Sequence, residues 1–324
     1  MKFLFLFLLI FSHSLSSEEK SRWELLQEEE TLAYERSARI AKFYALDEEL
    51  REITQELLES QDTIEEIKQI ILLTGRRFFV FKYPSGGFQV KGTISFVPDP
   101  HLHPLLVMLR GGNRMFGLLH PANIHTCVKN YTVLTTAYRG SVSEGVDEFG
   151  GDEVEDVENL LAYLPFLEKK IGFSFNAENI FLLGKSRGGM ELVLALARSP
   201  YLQERTARAA ILTGLLDMRE AIRDRIDLKE MFIKDFGLIP GINEDEWIDR
   251  RDPLLAVAEI RKDLPLLILQ GTNDLRIPLA HGYEMVKKLK EQGHLYDYIE
   301  IPGGDHCLDN FPSAMDLITD WLEK

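Results

Sequence analysis

Cysteine is nearly absent from this chain: Cys127 and Cys307 are the only two among 324 residues. One bridge between them is the most that can form, so a disulfide framework is excluded as the source of stability. Basic residues are in deficit, 37 Lys and Arg against 52 Asp and Glu, for a net charge of -15. No long Lys/Arg block offsets that average. Nucleic acid is therefore disfavoured as a ligand, because backbone phosphates require a basic footprint. Long apolar runs are missing beyond the first residues, so no stretch approaches the length of a membrane span. No His/Cys/carboxylate cluster has the spacing of a zinc site. The glycine pair in "RGGNRMF" (110–116) lacks the Lys-Ser/Thr of a phosphate loop and the glycine spacing of a dinucleotide loop. Neither a metal nor a cofactor is expected.

What is present begins with a targeting pattern. Met1-Lys2 is followed by "FLFLFLLIF" (3–11) and then "SHSLSS" (12–17). A short charged head, an apolar core and a small-residue exit read as a signal peptide over 1–16. As a helix that core rises only about 14 Å, too little for a bilayer core of about 30 Å. Export to a periplasmic or secreted location is expected, with an uncleaved tether as the alternative. The whole chain is 45% hydrophobic and 27% charged, a globular composition with room for one large domain and an appendage.

Residues 17–75 read as that appendage. "RWELLQEEETLAYERSARIAKFYALDEELREITQELLES" (22–60) has no Gly or Pro, and its apolar residues recur at helical spacing. Asp62, with Glu65 three residues on, fits the cap of a second helix. An amphipathic pair packed on the main domain is the plain reading, and an oligomerising arm the alternative. From Phe78 the period changes. "FFVFKY" (78–83) and "FQVKGTISFVP" (88–98) read as a hairpin. "PLLVMLRGG" (104–112), "YTVLTTAYRG" (131–140), "NIFLLG" (179–184), "AAILTG" (209–214), "LPLLILQG" (264–271) and "YDYIEIP" (296–302) are apolar strands, with helical patterns between most of them. Residues 76–324 are therefore expected to form an α/β domain, a mostly parallel sheet covered by helices on both faces. A short helical cap is expected around 215–262, where Met231, Phe232, Phe236 and Leu238 line a pocket or pack in the core.

The chemistry lies at strand ends. Gly184-Lys185-Ser186-Arg187-Gly188 fits G-x-S-x-G, a weak pattern by itself. Its context is a strand entering and a helix leaving, a turn that lifts the serine hydroxyl above the sheet edge. A serine needs a base, and the base an orienting acid. Asp274 in "ILQGTNDLRIP" and His306 in "IEIPGGDHCLD" each follow an apolar strand. Asp305 and Asp309 are alternative acids; His101, His103 and His294 are worse-placed bases. The order Ser, Asp, His is that of α/β-hydrolases. Oxyanion donors are expected from the backbone N–H of Arg187 and from the glycine loop, with Gly112 first and Asn113 next.

These stretches resemble the catalytic domain of the prolyl oligopeptidase group of α/β-hydrolases. The likeness rests on "YRGS" (138–141), "FGGDEVEDV" (149–157), "GKSRGG" (184–189), "GTNDLRIPLAHGYEM" (271–285) and "IPGGDH" (301–306), and covers about residues 76–324. It implies a serine peptidase or related esterase with Ser186, Asp274 and His306 as triad. It also implies a substrate contact by Arg276 and a structural role beneath the site for Arg139-Gly140. Two features depart from the pattern. Members that cut oligopeptides carry a β-propeller ahead of the hydrolase domain, which residues 17–75 cannot form. Arg110 stands where peptidases of this type often have Tyr and esterase-like relatives have His. It is read as a charged oxyanion donor, a binder of a substrate carboxylate, or a salt-bridged structural residue. The expected activity is hydrolysis of a small ester or short acyl-peptide through an acyl-enzyme. An exopeptidase and a non-catalytic binding protein remain as alternatives.

Overall fold

A computed structural model describes residues 21–99, 103–122 and 130–324. The signal region and Cys127, with its pairing, lie outside the described residues. One nine-stranded sheet runs in the order β1-β2-β3-β5-β4-β6-β7-β8-β9. The strands are β1 (Leu50–Glu52), β2 (Arg77–Ser85), β3 (Phe88–Phe96), β4 (Pro104–Leu109), β5 (Thr132–Thr136), β6 (Asn176–Lys185), β7 (Thr206–Leu212), β8 (Leu266–Gly271) and β9 (Tyr296–Ile301). Strands β1 to β3 and their junction with β5 are antiparallel. From β5 to β9 every pairing is parallel. The β2–β3 hairpin closes through Gly86 and Gly87 at φ 56° and 82°, a two-residue turn that glycine adopts without steric cost.

The helices are α1 (Arg22–Ile40), α2 (Thr54–Glu59), α3 (Glu65–Thr74), α4 (Glu155–Ala162), α5 (Leu164–Ile171), α6 (Arg187–Arg198) and α7 (Pro200–Arg205). After these come α8 (Met218–Asp224), α9 (Ile226–Asp235), α10 (Glu244–Asp249), α11 (Pro253–Ala256), α12 (Ala280–Gln292) and α13 (Ala314–Leu322). They cover both faces, which is why β5 and β8 are buried along their whole length. The architecture is an α/β-hydrolase fold. Among the described residues, no helix is long and apolar enough to cross a membrane.

The N-terminal segment departs from the expected helix pair. Ser21 and Glu24 form the capping box, and α1 ends at Ile40. Residues 50–52 then join the sheet edge, Leu50 opposite Phe81. Nothing in the local pattern marks that strand; its partner β2 imposes it. Helix α3 starts after Ile64, not at Asp62. The Asp62 carboxylate instead pairs with Arg39 and Lys42 of the preceding segment. The segment does pack on the main domain. Phe43, Tyr44, Ile53, Leu57, Ile67 and Ile71 join one core layer with Leu106, Val133, Leu267 and Trp321. Each fully buried large side chain there contributes about 1.5–3 kcal/mol. In the cap, Phe232 packs against Phe149, Phe236 and Trp247. Phe232, Phe236 and Leu238 are core residues, while Met231 faces a cavity.

Candidate active site

Strand β6 runs into α6 with one residue between them. Ser186 has φ 57° and ψ -124°, a conformation that non-glycine residues rarely adopt. Backbone bonds pin it there: its N–H donates to Leu212 O at 2.9 Å, and its carbonyl accepts from Gly189 and Leu215. The flanking glycines are required by contact. A Cβ on Gly184 would lie 2.3 Å from Gly188 O, and one on Gly188 would lie 2.0 Å from Leu109 O. The N-terminus of α6 brings its partial positive charge to this point.

The loops after β8 and β9 meet backbone to backbone. Thr272 N–H donates to Ile301 O at 3.0 Å, and Asn273 N–H to Gly304 O at 2.9 Å. That closure brings Asp274 beside His306. His306 Nδ1 lies 3.0 and 2.9 Å from the two Asp274 oxygens, and His306 Nε2 lies 3.0 Å from Ser186 Oγ. An ionised carboxylate can only accept, so Nδ1 carries a hydrogen, and in the neutral imidazole Nε2 accepts from the serine. Asp274 is itself fixed by the N–H groups of Arg276 and Ile277 at 2.8 and 2.9 Å. Burial alone would lower the His306 pKa; Cys307 and the Asp274 carboxylate outweigh it and raise it to about 10. Cys307 is a free, half-buried thiol in the same cavity. Burial would raise its pKa, but His306 and Lys185 lower it. The rival residues are placed elsewhere. Asp305 bonds Asn310, Asp309 pairs with Lys185, His103 pairs with Asp99, and His294 is buried after α12. His101 lies outside the described residues.

Ser186 and His306 open onto a cavity of about 310 Å³. Gly111, Gly112, Asn113 and Phe116 form one wall, and Leu215, Leu228 and Met231 another. Glu30, Ala33, Tyr34, Arg36 and Ser37 of α1 form a third. Sequence reasoning missed this last wall, because it arises only when α1 folds back over the loops. Asn113 turns its side-chain amide to Met231 Sδ at 3.0 Å. Arg276 also lines the cavity, but its guanidinium is held by Glu29 and Glu30 at 3.0 and 3.4 Å. Arg22 at the start of α1 donates to Leu275 O at 2.7 Å and pairs with Asp224 of α8. No group of three or more His, Cys, Asp or Glu that could hold a metal occurs among the described residues.

Arg110 corrects the sequence reading. It is 1% exposed and does not line the cavity, so it is not placed where a substrate in that cavity would meet it. It has no carboxylate within ion-pair distance among the described residues. Its donors go to the carbonyls of Gly111, Phe116, Arg114 and Ala137 at 2.8–3.2 Å. The Arg187 side chain is likewise internal. It meets Asp147 twice, at 2.9 and 2.7 Å, Glu153 at 2.7 Å and Glu191 at 2.8 Å. Its Nη1 also donates to Gly112 O at 3.1 Å. Arg139 is buried and bonded to Asp156 and Ser85.

A strained serine hydrogen-bonded to a histidine and thence to a buried carboxylate, at the carboxyl ends of parallel strands, places this chain among the serine hydrolases of α/β-hydrolase fold. More narrowly, it belongs to the prolyl oligopeptidase family, whose model matches residues 122–324. The uncharacterized peptidase YtmA of Bacillus subtilis is 27% identical over 220 residues, 66% of this chain and 80% of that protein. Acylamino-acid-releasing enzyme 1 of Oryza sativa is 25% identical over 287 residues, which cover 78% of this chain and 35% of the enzyme. Among solved structures, an acylaminoacyl peptidase in complex with Z-Gly-Gly-Phe-chloromethyl ketone aligns with TM-score 0.62 at 18% identity. An acylaminoacyl peptidase of Pyrococcus horikoshii aligns with TM-score 0.61 at 19%. Each alignment covers 76% of this chain and 41% of the other. At that identity the likeness is one of fold. The chain spans most of YtmA but well under half of the acylamino-acid-releasing relatives.

Proposed function

We propose that this chain hydrolyses short acyl-peptides, and activated esters with them, through an acyl-enzyme on Ser186. The observation that carries the reading is the continuous hydrogen-bonded line from Ser186 Oγ through His306 to Asp274. His306 Nε2 takes the serine proton as the hydroxyl attacks the carbonyl, then returns it to the leaving group. Asp274 holds the tautomer and supports the imidazolium. Backbone N–H groups of Arg187 and Gly112 face the developing oxyanion, with Asn113 beside them. Gly111 makes room for that approach: a Cβ there would lie 2.9 Å from Ser186 Cβ. The names of its relatives, a peptidase and acylamino-acid-releasing enzymes, favour an amide over a purely ester substrate. The mostly apolar walls suit an uncharged acyl group, and Arg276 borders the space a peptide would enter. The test is a rate comparison of N-acetyl-amino-acid p-nitroanilides with p-nitrophenyl esters, using wild type and Ser186→Ala. Turnover of both classes that disappears in the variant supports the reading; ester turnover alone reduces it to an esterase. Residues 1–16 are proposed as an export signal, checked by the N-terminal mass of the mature protein.

A further inference from the structure

We propose that Arg110 and Arg187 are positioning residues that aim the oxyanion donors of the 110–116 loop at Ser186; this rests on Ser186 being the nucleophile. A trans peptide is planar, so its C=O and the following N–H point in opposite directions. Arg110 Nη1, on a buried side chain, holds the Gly111 carbonyl at 3.1 Å and draws it away from the cavity that Arg110 does not line. The N–H in that same plane belongs to Gly112, and it is therefore turned outward. Arg187 Nη1 holds the Gly112 carbonyl at 3.1 Å. The N–H in that plane belongs to Asn113, and it is turned outward as well. Gly112, Asn113 and Ser186 line the same cavity, so outward is toward the space that the serine also faces. The two candidate donors are thus each set by a buried guanidinium acting on the carbonyl one residue earlier.

The rest of the loop is held by the same fork. Arg110 also donates to Phe116 O at 3.1 Å and Arg114 O at 2.8 Å, drawing the ends of the 111–116 turn together. Gly112 has φ 69°, and a Cβ there would lie 2.2 Å from Phe116 O, so the turn is closed tightly. Tyr138 ties the two cations to one platform, with its ring 5.3 Å from Arg110 and 5.6 Å from Arg187. Reaching several carbonyls at once requires a planar multi-donor head. A lysine ammonium retains the charge but not the fork.

The experiment is steady-state kinetics of Arg110→Lys on a p-nitrophenyl ester, with folding checked by thermal melting and the pH profile recorded. Oxyanion stabilisation acts on the transition state, so kcat should fall about 10- to 100-fold while KM stays within about threefold. The acid limb of the pH profile should not move, because His306 and Asp274 are untouched. A folded Arg110→Lys protein with kcat within twofold of wild type overturns the proposal, as does a loss carried by KM. If Arg110→Lys does not fold, Arg187→Lys bears the same expectation and the same refutation. Failure of the underlying reading shows separately, as a wild-type protein that a fluorophosphonate does not label at Ser186.

Discussion

Two ionic networks flank the candidate nucleophile, and they differ in nearly every physical respect. Behind Ser186, Arg187 is enclosed with Asp147, Glu153 and Glu191, and all four side chains are at most 2% exposed. In front, Arg276 meets Glu29 and Glu30 of α1, whose side chains are 57% and 42% exposed. A buried charge left without its partner is costly, so the rear network has essentially one arrangement. Water and salt compete for the front one, so it can yield. The rear network therefore suits the part of the site that must not move. The front network suits the wall past which a substrate enters.

The largest expected contrast is in stability. Arg187→Met leaves the buried Asp147, Glu153 and Glu191 without their cation and should cost about 3–5 kcal/mol, read as a large drop in the denaturation midpoint. Glu29→Gln with Glu30→Gln should cost no more than about 1 kcal/mol. Comparable losses for the two would erase the distinction.

How much of this could be read beforehand follows the same division. Ser186, Asp274 and His306 were legible because each follows a solid apolar strand, and the order of those strands fixes which ends share an edge. The parallel sheet was legible for the same reason. The strand at 50–52 was not, because its residues continue a helical pattern and only β2 makes them a strand. Arg110 was misread because its partners are main-chain carbonyls, which no sequence pattern displays. Arg187 and Glu191 do stand at i,i+4 spacing, a signal for their pair that could have been used. The α1 wall needed tertiary structure, since Glu30, Tyr34 and Arg36 lie some 150 residues before the serine whose cavity they line.

The next contrast is in pH response. The usual His pKa of 6.5 is raised here to about 10, with Cys307 the foremost raising influence. His306 must be neutral to act as base, so kcat/KM should rise with pH along a limb lying above the ordinary imidazole range. Cys307→Ser should move that limb downward; an unmoved limb contradicts the assignment. Stability should show the opposite slope. Burial, against the pull of Arg187, raises Glu191 from 4.5 to about 8. Between those values the unfolded chain has lost its proton while the folded chain keeps it. Stability therefore falls as pH rises through that window. Glu191→Gln should flatten the fall, measured as denaturation midpoints from pH 5 to 8.5.

The smallest expected effect belongs to the front network. Neutralising Glu29 and Glu30 should alter KM by a few-fold with kcat nearly unchanged, and wild type in about 1 M salt should approach the same KM. A KM indifferent to salt in wild type would indicate that α1 is as fixed as the rear network.

All of these contrasts presuppose a working serine. The direct measurement is intact mass after exposure to a fluorophosphonate probe, for wild type, Ser186→Ala and His306→Ala. A single adduct on the wild type, absent from Ser186→Ala and strongly slowed in His306→Ala, is the predicted result. A folded wild-type protein that acquires no adduct, or an adduct that persists in Ser186→Ala, would contradict the account.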